Sequence, residues 1–103
     1  MRILPLRTEL GAGEDKQVVL LFNGSRRKLV QFTLRNKAIL DGHKSSVPIT
    51  IHCIAGSATL NFGDTGESIE LLPGTLVTLE PNTLHEIKSN PAVSVLVTHF
   101  TDQ

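Results

Sequence analysis

Apolar and polar residues alternate along this chain in short runs, and the period is two. Over residues 28–34, Val30, Phe32 and Leu34 fall on one face and Leu29, Gln31 and Thr33 on the other. Over residues 49–55, Ile49, Ile51 and Cys53 oppose Thr50, His52 and Ile54, and Ala58, Leu60 and Phe62 resume the rhythm beyond Gly56. Successive side chains of a strand point to opposite sides of its sheet, so this pattern predicts strands with one face on a core. Apolar runs of strand length also occur at residues 17–22, 38–40, 69–72, 75–79, 84–88 and 93–100. Between Gln17 and Phe100 no ten-residue stretch carries a helical period.

The breaks between these runs are turn-formers: Asn23-Gly24, Asp41-Gly42, Gly56, Gly63-Asp64-Thr65-Gly66, Pro73-Gly74, Glu80-Pro81-Asn82 and Asn90-Pro91. Glycine and asparagine accept positive φ, and proline withholds an N–H from a ladder, so each break predicts the end of a strand. Gly56 is expected to make a tight turn, and Asn90-Pro91 to separate two strands. Residues 1–16, with Pro5, Gly11 and Gly13, predict an irregular arm followed by a loop. Many short strands at close spacing define an all-β sandwich or small barrel, and the length of 103 residues sets the expectation of one domain over residues 1–103.

Composition narrows the function classes. Ten Lys and Arg balance ten Asp and Glu, so no overall positive field gathers nucleic acid or an anionic membrane as a partner. The basic triplet Arg26-Arg27-Lys28 has no interleaved aromatics and reads as a solvated loop tip. Cys53 is the only cysteine, which excludes an internal disulfide and a multi-cysteine zinc site and suits a reducing compartment. The opening residues are too short an apolar run for a signal peptide and no stretch has the length of a membrane span, so a soluble, cytoplasmic protein is expected.

Residues 42–85 hold the candidate chemistry. Pro73-Gly74 is followed at motif spacing by His85, with Pro81, Asn82 in a glycine's place, and Asn90 one position late; upstream, His43 stands a fixed distance before Gly56. This arrangement resembles the two motifs of the cupins, the second well kept and the first degenerate. Ser45 occupies the place of a second histidine, and Ile49 lies at or beside that of the glutamate. Asn82 tolerates the positive φ that the glycine supplies. The resemblance implies a double-stranded β-helix, the cupin jelly-roll barrel, over residues 39–100, preceded by the arm. It also implies a homodimer in which residues 1–22 serve as the exchange or edge element.

In that register Ile49, Ile51 and Cys53 face the barrel interior, with His43 and His85 at its mouth, and together they form a small-molecule pocket. His43 and His85 are the expected metal ligands, with His99 a third if it shares the inward face of Val93, Val95 and Val97; Zn, Ni, Fe, Mn or Cu would suit imidazole donors. His52 faces away, Cys53 reads as a small buried hydrophobe, and Glu86 is turned from His85 by alternation, leaving Glu80 and Glu86 as surface carboxylates rather than general bases. No phosphate loop or nucleophile elbow is present. Three functions follow: a module binding a small polar or anionic molecule, as a sensor would; a metal-dependent enzyme of dioxygenase or isomerase type; or a dimerising scaffold without a ligand.

Overall fold

The computed structural model describes residues 1–102, and for Gly42 and His43 the backbone alone. Seven strands run in chain order: β1 (Lys16–Gly24), β2 (Arg27–Leu34), β3 (Ile39–His43), β4 (Ile49–Phe62), β5 (Ser68–Leu71), β6 (Leu76–Leu79) and β7 (His85–His99). No described residue is helical. Two of these strands organise the rest. β4 and β7, 14 and 15 residues long, pair antiparallel from Ile49↔His99 to Phe62↔His85, and each belongs to two sheets.

The register divides the barrel. Residues 93–99 of β7 lie between β2 and the first half of β4, which β6 flanks on its other side, so one sheet runs β1-β2-β7-β4-β6. Residues 85–88 of β7 lie between β3 and the second half of β4, which β5 flanks, so the other runs β3-β7-β4-β5. The inner faces carry the alternating apolar rows. Ile51, Cys53, Ala58, Leu60, Leu71, Val93 and Val95 are wholly buried between the sheets, and burying each large aliphatic contributes about 1.5–3 kcal/mol before chain entropy is charged against it. This is a double-stranded β-helix.

Three predicted breaks are corrected. Gly56 makes no hairpin: β4 continues through it, with register shifts on either side. Its φ of 75° and the 2.1 Å that would separate a Cβ there from the Ala92 carbonyl oxygen show why this position is glycine. The chain bulges there to pass from one sheet to the other. Residues 84–88 and 93–100 are likewise one strand, β7; Pro91, in a cis Asn90–Pro91 peptide, falls where pairing with β4 lapses and no ladder N–H is missed. Asp41-Gly42 lies inside β3, at a register shift between Leu40 and His43. Asn82, as expected, holds positive φ, at 63°.

The arm, irregular as predicted, is nonetheless tightly held. It crosses the outer face of β2, which is why Gln31, Thr33 and Arg35 are buried although they point away from the core. Gln31 donates to the Arg7 carbonyl (2.8 Å) and to Ser94 Oγ (2.7 Å) and accepts from the Arg7 N–H (3.0 Å). The Arg35 guanidinium donates to the carbonyls of Leu10 and Glu14 (both 2.8 Å) and to Gln17 Oε1 (2.9 Å). A loop that would leave its backbone groups dry and unpaired instead finds partners on two side chains.

Candidate functional site

Because β4 and β7 each bend halfway, both ends of each strand return to one mouth of the barrel. His85 at the start of β7 and His99 at its end therefore line the same cavity, of about 280 Å³. Its apolar lining is Phe32, Leu40, Ile49, Ile51, Ile87 and Val97; Lys28, Lys44, Ser45, Ser46 and His99 form the rim, and His85 is buried in the wall. The connection after β3 forms one side of the rim and is anchored: the Ser45 carbonyl accepts from the Asn82 N–H at 2.6 Å, and Ser45 Oγ accepts from the Val47 N–H at 3.2 Å.

His85 is buried, and its Nδ1 stands 2.9 Å from the Thr83 carbonyl oxygen. A carbonyl only accepts, so Nδ1 carries the proton in this contact. His99 enters through register: it pairs with Lys28 on one side and Ile49 on the other, and cross-strand partners share a face, so all three side chains turn inward. His43 pairs in the backbone with His85, but its side chain lies outside the described residues. His52 lies on the outer face, where its neighbours Ile51 and Cys53 are fully buried and it is not.

Of the predicted pocket residues, Ile49, Ile51 and His85 are brought together in the cavity. Cys53 is not. It shares their face but lies one step deeper, wholly buried, with its thiol 3.8 Å and 3.9 Å from the carbonyl oxygens of Ala55 and Gly56. Burial pushes the thiol pKa up from its ordinary value, with a backbone hydrogen bond at Ala55 opposing in smaller measure. That is the opposite of activation. Glu86 accepts from Asn61 Nδ2 at 3.2 Å, Glu80 is exposed, and neither residue lines the cavity. Lys28 does not share the solvated tip expected for the basic triplet: it belongs to the inward row Lys28, Val30, Phe32, Leu34 and lines the cavity. Its phase with Val30 was the available signal.

Among the described residues no three of His, Cys, Asp or Glu are placed to hold an ion, and two imidazoles without a carboxylate are a partial set. No described helix is long and apolar enough to cross a membrane.

An all-β barrel with two bent long strands and a cavity at one mouth is the architecture of a cupin fold, and known structures agree. The chain is similar to a cupin superfamily protein from Desulfitobacterium hafniense, with 20% identity, 98% of this chain and 92% of that one covered, and a TM-score of 0.80. An RmlC-like cupin with a double-stranded β-helix fold from Methanocaldococcus jannaschii matches at 17% identity, 99% and 92% coverage and a TM-score of 0.81. A polyketide cyclase from Streptomyces resistomycificus matches at 19% identity, 97% and 80% coverage and a TM-score of 0.79. No protein-family model and no curated protein matches the sequence. At these identities the likeness is one of fold, and the chain has the cupin fold.

Proposed function

We propose that the protein binds a small molecule in the barrel cavity. The observation that carries this reading is the cavity itself: about 280 Å³, walled by aliphatic side chains and Phe32 and rimmed by polar groups, just below the ~300 Å³ at which small-molecule sites commonly begin. A compact metabolite suits it. A ligand that binds only the folded state raises the melting temperature, so a thermal-shift screen of small metabolites tests the proposal. Binding that disappears in Ile49→Phe, which projects a ring into the cavity, supports it; hits that bind Ile49→Phe unchanged refute it.

The metal-dependent reading rests on the direct backbone pairing of His43 with His85 and on His99 reaching the same cavity. In that reading His43 and His85 hold a divalent transition metal with His99 beside them, as in an enzyme of dioxygenase or isomerase type. Elemental analysis of protein purified without a polyhistidine tag decides it: stoichiometric metal lost in His85→Ala favours this reading, and metal-free protein from metal-replete cells removes it. In either case we propose a homodimer formed through the edge of β1, where Val18 and Leu20 are exposed.

A further inference from the structure

The charge around the cavity differs from that of the chain. Lys and Arg equal Asp and Glu in number over the whole sequence, yet the described residues lining the cavity include two lysines and no carboxylate. Lys28 is the more informative of the two. It occupies an inward position on β2, level with His99 and Ile49 across three strands, where the rest of the inward row is Val30, Phe32 and Leu34. A lysine in such a row lays its methylene stem along the apolar wall and carries the ammonium to the mouth. Lys44 stands across the rim on the connection that also supplies the Ser45 and Ser46 hydroxyls.

We propose that the cavity selects a compact apolar monocarboxylate, its carboxylate held at the rim by Lys28 and Lys44 and its hydrocarbon body against Leu40, Ile51 and Ile87. This rests on the small-molecule reading above and specifies the ligand class. The rim supplies charge-assisted donors to an anion, and a cleft with charge of one sign and low-dielectric walls concentrates ligands of the other. The walls set the second half of the specificity. A dicarboxylate of equal length would drive a second charge against Leu40, Ile51 and Ile87, which offer it no partner.

Isothermal titration calorimetry with butyrate, hexanoate, octanoate and benzoate, each beside its primary amide and with adipate as the dicarboxylate, tests the inference. The best-fitting carboxylate is expected to bind at least about tenfold more tightly than its amide, the difference that one lost charge-assisted hydrogen bond produces. Adipate is expected to bind more weakly than hexanoate. Lys28→Met should weaken the preference and Lys28→Met/Lys44→Met should bring the carboxylate to the level of the amide, each with the melting temperature of the ligand-free protein unchanged, and Lys88→Met, on the outer face of β7, should leave the preference intact. Amides that bind as well as the acids, or a preference that survives in the Lys28→Met/Lys44→Met protein, overturn the inference while leaving the cavity a binding site. If neither acids nor amides bind, the inference and the small-molecule reading fall together.

Discussion

At Gly56 two requirements coincide that a side chain cannot meet. Positive φ alone costs a non-glycine residue about 1–2 kcal/mol, and here a Cβ would also stand 2.1 Å from backbone that β7 cannot withdraw without breaking its register. Gly56→Ala should therefore destabilise well beyond that figure, whereas Gly66→Ala, at a φ of 74° with nothing within 4 Å of its Cβ position, should cost only the conformational part. Urea midpoints of the two variants, compared at equal m-value, give the difference directly; equal losses would mean that the Ala92 carbonyl yields. Cys53 offers a second residue-scale prediction. Its pKa in the folded state is raised by burial. Above the ordinary thiol range the unfolded chain releases this proton and the folded chain retains it, so stability falls as pH rises, while below that range the group contributes no pH dependence. Urea unfolding between pH 7 and pH 10 should show a steeper loss in the native protein than in Cys53→Ala, and iodoacetamide should label Cys53 only as the barrel unfolds.

Arg35 shows how an element without regular structure is fixed. Arg35 is 5% exposed, and its guanidinium donates to three arm carbonyls and to Gln17, so Arg35→Met keeps an apolar stem and removes the donors. The arm should then open locally while the barrel persists. A loss of about 1.4 kcal/mol in that opening equilibrium is a tenfold faster cleavage, so trypsin should cut after Arg7 and Lys16 at least tenfold faster, with the urea midpoint of the remaining barrel little changed. Identical cleavage rates would show that the Gln31 contacts suffice. The same elements mark what the sequence reveals and conceals. Period-two alternation found the inward rows of β2 and β4 because burial of one face imposes it. It could not tell that Gly56 and Asn90-Pro91 bend strands rather than end them, since a bulge and a hairpin draw on the same residues for the same backbone freedom. Nor does phase report depth. Ile51 and Cys53 share a face, yet only the first reaches the cavity, and Lys28 was hidden by its neighbours Arg26 and Arg27, which do face solvent.

Among the described strands β1, β3, β5 and β6 each have one paired edge, and β1 is the longest of them. β7 and β4 are paired along both edges, but β1 pairs only with β2 among the described strands, and Val18 and Leu20, which continue the inward row of Phe32 and Val30 onto it, are 59% and 57% exposed. Arg2 stacks over Phe22 with its guanidinium 5.6 Å from the ring centroid, which sets the exposed Met1 and Ile3 beside the far end of the same strand. An edge strand usually carries charge, proline or a bulge to keep other chains away; β1 has one charge, Lys16 at its start, and a register shift between Leu20 and Phe22, and the residues between them, 17–20, are uncharged. With positive and negative side chains in balance, two copies also approach without net repulsion. Antiparallel pairing of β1 with its copy about a two-fold axis satisfies the free ladder groups of both chains and covers the same apolar residues on each, which is the self-complementarity a two-fold interface requires. Light scattering at micromolar concentration should give twice the chain mass. Val18→Lys/Leu20→Lys should give the single mass with the carboxylate preference of the cavity retained, because the cavity lies at the mouth of the barrel and takes no residue from β1. A native protein of single mass at that concentration would refute the dimer and leave the edge protected by other means.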